Sequence, residues 1–194
     1  MHFLLCLAVA GLVSADAFSI NAYMPGHLTL DGEVLHASNY GFSTGLEGPS
    51  TYCPPNIGAA CPTVAGTLVS RGMEAMAVIV PGGQQIYVQA DGRVKYSIPH
   101  SAYIPPDAIV GGWYHKTVAS SAETAMINDV IDFDDSHGNK GLVFCLSDDG
   151  RGFGKYALYA KTEKFNANAC TDLQDVSGLV LTKSAAGVGC WQYA

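Results

Sequence analysis

Along this chain the apolar positions fall in short runs punctuated by Gly and Pro. Ala75–Val80 (AMAVIV) is continuously apolar and stops at Pro81-Gly82-Gly83, the pattern of a strand buried on both faces. Gln84–Ile98 (QQIYVQADGRVKYSI) predicts a hairpin whose register can be argued. A two-residue turn at Asp91-Gly92 would put Ile86 and Val88 on the face of Arg93 and Lys95. A three-residue loop, Ala90-Asp91-Gly92 with Gly92 at positive φ, instead gathers Ile86, Val88, Val94, Tyr96 and Ile98 on one face. Gln85, Tyr87, Gln89, Arg93, Lys95 and Ser97 then take the other face, so this register is the one expected. Leu142–Leu146 reads as another buried strand and Tyr156–Lys161 as a strand leaving a Gly-rich turn. Leu179–Thr182 and Trp191–Tyr193 read as closing strands. Ser120 with Glu123 forms a candidate capping box for a short helix through about Ile131. Short strands at intervals of about ten residues predict an all-β fold, a single-domain antiparallel β-sandwich or barrel with at most one short helix.

The N-terminus departs from this pattern. Phe3–Val13 (FLLCLAVAGLV) is an apolar run too short to span a bilayer, followed by Ser14-Ala15-Asp16-Ala17. Residues 1–15 are therefore expected to be a signal peptide, cut before Asp16 or before Phe18, and residues 16–194 a single secreted β domain. No second run approaches the length of a membrane span, and the closing SAAGVGCWQYA lacks the tail of a lipid anchor, so no membrane partner is expected. A chain of 194 residues suffices for one core. With 48% hydrophobic and 14% charged residues it falls outside the disordered class. Its 10 basic and 17 acidic side chains give a net charge of −7 with no basic run, which argues against nucleic acid as a partner.

Secretion changes the reading of the six cysteines. Cys6 leaves with the signal peptide, and Cys53, Cys61, Cys145, Cys170 and Cys190 remain in an oxidising compartment. Cys53 and Cys61 flank a Pro-Pro-Asn turn and are expected to close a local loop. Cys145 with Cys170 is the second expected bridge. In the chain-entropy model the two loops contribute about 2.5 and about 3.5 kcal/mol. Cys190 is left over, either buried and inert or joining two chains as a disulfide-linked homodimer. No C-x-x-C pair exists, so a zinc site is not expected.

Candidate chemistry is sparse. Gly41-Phe42-Ser43-Thr44-Gly45 matches G-x-S-x-G, but a nucleophile elbow needs a helix after it, and Leu46-Glu47-Gly48-Pro49-Ser50 reads as a loop. Asp129, Asp132, Asp134 and Asp135 cluster in NDVIDFDDSHGN. The spacing approaches an EF-hand loop, yet Gly138 comes one place late and Val143 stands where the bidentate Glu belongs, so a solvated acidic turn is expected. His27, His36, His100, His115 and His137 show no metal-ligand spacing, and neither metal nor cofactor is expected. Tyr103, Trp113 and Tyr114 lie in the Pro/Gly-rich stretch SAYIPPDAIVGGWYH and are the candidate ligand contacts. Such aromatics stack on sugar rings or meet a protein partner, the alternative being that they pack over the end of the fold. No N-x-S/T sequon occurs.

Several blocks carry a resemblance: Ser19–Gly26 (SINAYMPG), Thr51–Cys61 (TYCPPNIGAAC), Val80–Ala108 (VPGGQQIYVQADGRVKYSIPHSAYIPPDA) and Trp191-Gln192-Tyr193. Together they resemble a family of small secreted fungal proteins known as IgE-binding, allergen-like proteins, some described as cell-wall associated. The resemblance implies a fungal, extracellular, β-rich protein with no established enzymatic role and no catalytic residues to carry over. It also implies four kept cysteines, matching Cys53, Cys61, Cys145 and Cys170, which makes Cys190 a departure. The expected function is that of an extracellular or cell-wall-associated binding or structural protein without catalysis, its partner a wall polysaccharide or a host protein. The rivals are a secreted effector or elicitor acting on a host or competitor protein, and a small serine hydrolase using Ser43.

Overall fold

The computed structural model describes residues 16–119, 126–147 and 155–194. The expected signal segment 1–15, the capping-box pair Ser120 and Glu123, and the Gly-rich turn before Tyr156 lie outside the described residues. The first antiparallel sheet runs in the order β5 (Leu68–Ser70), β1 (Ala17–Tyr23), β13 (Gly178–Lys183), β9 (Met126–Phe133) and β8 (Trp113–Ala119). The second runs β12 (Gln174–Val176), β10 (Leu142–Ser147), β11 (Lys155–Ala160), β3 (Gly41–Ser43), β7 (Val94–Tyr96) and β6 (Ile86–Val88), with β2 (His36–Ser38) also paired to β3. A ribbon joins β4 (Thr51–Tyr52) to β14 (Gln192–Tyr193). Among the described residues neither sheet closes into a barrel, and helix is limited to 3-10 turns at Gly58–Ala60 and Ala167–Ala169.

The β-sandwich follows from period-two patterning. In β1 Phe18, Ile20 and Ala22 enter the core while Ser19, Asn21 and Tyr23 alternate outward. Ile131, Phe133 and Leu179 join them from the first sheet, and Phe42, Ile86, Tyr96, Phe144 and Leu158 come from the second, in one continuous cluster. In β10 the four residues Leu142 to Cys145 are all buried. Leu142 and Phe144 face the core, whereas Cys145 on the outer face is bonded to Cys170 in the loop that crosses it.

The hairpin adopts the expected register, with Ile86 opposite Tyr96 and Val88 opposite Val94. Gln89 and Arg93 close a three-residue loop in which Gly92 has φ +92°. A Cβ at Gly92 would collide with the Ala160 carbonyl oxygen and lie 3.0 Å from the Phe165 ring, so glycine is required by conformation and by space. Ile98 departs from the expected apolar face and is 56% exposed, because β7 ends at Tyr96 and the chain turns away.

Two expectations are corrected. Ala75–Val80 is no doubly buried strand: Ile79 is exposed, and the segment crosses between partners instead of joining a ladder. Met76 N–H donates to Gln84 O, Ala77 N–H to Leu68 O and Val80 N–H to Trp191 O, so each bond goes to a different part of the fold. Residues 126–131, expected to end a short helix, belong to strand β9. Its β-branched Val130 and Ile131 pair with β8 on one side and β13 on the other.

A polar clamp fixes β14 to the core. Gln84 is 1% exposed; its Oε1 accepts the Tyr193 N–H at 2.8 Å, and its Nε2 donates to Tyr193 O at 3.0 Å and Ser97 O at 3.1 Å. The fully buried Tyr193 hydroxyl accepts from Leu68 N–H at 2.8 Å. Every buried polar atom in this knot has a partner, which is the condition for burying it at little cost.

Candidate functional site

The three candidate aromatics do not form one cluster. Tyr103 sits in the loop between β7 and β8, which is held against β6 by paired backbone bonds between Ile109 and Val88. It is 70% exposed and near enough to Tyr87 that burial first, and the Tyr103 phenol second, push the Tyr87 hydroxyl above its ordinary pKa. Trp113 opens β8 at the edge of the other sheet and packs edge-to-face on Phe133, with ring centroids 5.3 Å apart. Its Nε1 is buried without a hydrogen-bond partner among the described residues, so this indole is a packing element first. Tyr114, 38% exposed, donates its hydroxyl to Asp132 Oδ2 at 3.4 Å.

The acidic turn is satisfied from within. The Asp129 side chain lies outside the described residues. Asp132 pairs with Lys116 Nζ at 2.6 Å and accepts the Phe133 N–H. Asp134 pairs with Lys140 at 2.6 Å and accepts the Ser136 N–H, and the Lys140 bond holds its carboxyl below the usual range. Asp135 accepts from the backbone N–H of His137 and Asn139 and from the Asn139 side chain. Asp134 and Asp135 thus close their own turn, as Asx motifs do, while Asp132 is neutralised across the strand pair by Lys116 of β8. Among the described residues no three metal-ligating side chains converge.

Ser43 lies inside a sheet. It belongs to β3, opposite His36 on β2 and Ala157 on β11, and no helix follows it, so the strand-to-helix turn of a nucleophile elbow is missing. His36 is buried, and burial lowers its pKa against an opposing pull from Glu33. His27 Nδ1 accepts the Leu30 N–H and so organises its own loop.

What the sequence did not single out is a groove of about 160 Å³ on the outer face of the second sheet. Phe42 points into the core, so its neighbours Gly41 and Ser43 face outward, with Lys95 opposite Gly41 and Ala157 opposite Ser43. Arg93, two places before Lys95, shares that face and bridges Tyr159 of β11. Three strands therefore meet where β7 and β11 part around β3, and small side chains floor the gap.

The cysteines pair as Cys53–Cys61 and Cys145–Cys170, with Cα separations of 6.2 and 5.1 Å. Cys190 is 4% exposed in the core, and burial raises its thiol to about 12. The bridge between two chains considered for it has no exposed sulfur to form through.

No family model matches the chain, and no solved structure matches it. Over 97 residues the chain is 39% identical to an uncharacterized secreted protein of Arthroderma benhamiae. That stretch is 50% of this chain and 49% of the relative, so the chain spans about half the length of the protein it matches. This similarity to a secreted fungal protein, together with the two disulfides, supports an extracellular location.

Proposed function

We propose that the protein acts outside the cell as a non-catalytic binding protein associated with fungal wall polysaccharide. The observation that carries this reading is Tyr103, an exposed aromatic on a loop whose far end is bonded to the sheet through Ile109. A side chain with few rotatable bonds, presented from a fixed base, binds with little loss of conformational freedom. The similarity to a secreted fungal protein supports the location, and the placement of Ser43 within paired strands, with no helix after it among the described residues, supports a role without acyl transfer. Recognition by host IgE, implied by the resemblance, is incidental to that role in this reading.

The test is retention of the secreted chain on insoluble chitin and on β-glucan, with Tyr103→Ala alongside. Trp113→Ala is the poorer probe, since it also removes packing from Phe133. Retention that falls about tenfold in Tyr103→Ala, with an unchanged melting temperature, is the expected result. Flow-through of the unmodified protein overturns the reading and directs attention to a protein partner.

A further inference from the structure

The groove at the fork of β3, β7 and β11 carries an inference beyond the aromatic loop. Two cations stand side by side on its wall in a chain whose net charge is −7. Among the described residues neither Arg93 nor Lys95 has a carboxylate partner. Lys95 Nζ donates to the backbone oxygen of Asn39 at 3.1 Å, a neutral acceptor. Burial, and the Arg93 charge after it, hold the Lys95 ammonium below its ordinary pKa, with Asp91 pulling the other way. The Arg93 guanidinium lies 5.3 Å from the centre of the Tyr159 ring and donates to the Tyr159 hydroxyl through Nε and Nη2. That arrangement fixes the plane of the fork and leaves its other N–H groups without a protein acceptor among the described residues.

The floor adds shape and chemistry. Gly41 and Ala157 present almost no side chain, and Ser43 and Ser147 add hydroxyls. An open volume of about 160 Å³ is close to the roughly 150 Å³ of an engineered cavity that admits a single six-membered ring. The strands beneath are each paired to at least two neighbours, so an extended peptide finds no free edge to extend. Donors fixed in number and direction, hydroxyls around them and room for one ring fit a charged sugar.

We propose that this groove binds an anionic sugar unit, a hexose bearing a carboxylate or a phosphate. The site is separate from the Tyr103 surface, and either can fail without the other. The test is affinity electrophoresis of the secreted chain in native gels cast with polygalacturonate, with phosphomannan or with neutral β-glucan. Retardation by an anionic polymer is expected despite the protein's own negative charge, and which polymer retards it tells a carboxylate from a phosphate. Arg93→Gln and Lys95→Gln should each weaken the apparent affinity by about tenfold or more, as loss of a charge-assisted bond does. Lys183→Gln removes the same charge from the other sheet, where Lys183 pairs with Asp16, and should leave retardation unchanged. Melting curves accompany each variant, and the exposed Arg93→Gln decides the matter if Lys95→Gln melts early. Absence of retardation by both polyanions, equal retardation by neutral β-glucan, or an equal loss in Lys183→Gln overturns the proposal.

Discussion

The acidic turn at Asp132–Asn139 and the basic pair at Arg93 and Lys95 are both clusters of like charge, and they are held in opposite ways. In the turn every described carboxylate is saturated by donors from its own loop or by a lysine across the strand. In the groove the two cations meet a backbone oxygen and a phenol, neither of which carries charge. A like-charge cluster is structural when the chain supplies its counterparts, and it is open to a ligand when the counterparts are missing. Among the described residues the turn's carboxylates have charged or backbone donors, and the groove's cations have no charged partner.

The sharpest way to break this contrast is to remove the turn that carries the basic pair. Gly92→Ala should destabilise the fold by about 3 kcal/mol in urea unfolding, since it combines positive-φ strain with a clash against Ala160. Next in size, Asp135→Ala strips the acceptor from two backbone N–H groups and should lower the melting temperature by about 5 °C. His36, opposite the groove residue Ser43, gives a smaller and pH-dependent effect. Its folded pKa lies below the ordinary 6.5, so the unfolded chain binds the proton more readily. The melting temperature should therefore fall by about 2–3 °C between pH 7 and pH 5.5, and His36→Gln should flatten that slope. Smallest of all, Lys95→Gln should shift melting by no more than about 1 °C, because its one bond within the fold is a surface contact to the Asn39 backbone oxygen and no ion pair is lost. A large loss there would make the basic pair as structural as the turn and erase the contrast.

How much of this was legible in the sequence depends on how far apart the partners lie. The 84–98 hairpin is local, and only one register separates Ile86, Val88, Val94 and Tyr96 from Arg93 and Lys95, so its pairing could be read directly. Ala75–Val80 could not, because its bonds run to Gln84, Leu68 and Trp191, and composition is silent about changes of partner. The end of the expected helix failed similarly. Val130 and Ile131 are committed to strand by β8 and β13 on either side, which outweighs a local capping signal. The aromatics Tyr103, Trp113 and Tyr114 are neighbours in sequence yet divide between a loop and a sheet edge. The groove has the reverse history, since Gly41, Lys95 and Ala157 are drawn from three distant segments. Alternation about Phe42 was the one available hint, and it says only that Gly41 and Ser43 point outward.

The pairing of β1 with β13 has a further consequence, for the time course of folding. Phe18 sits opposite Lys183, so a strand made at the start of the described chain forms its ladder with one made near the end. Such separations place the protein among slow folders, because the loop must close before its contacts contribute. During synthesis and export the Phe18, Ile20 and Ala22 face has no complete sheet to join, and an apolar edge of that kind invites chaperone capture or aggregation. Secretion of this protein is therefore a race between completing residue 183 and losing residue 18 to the wrong neighbour.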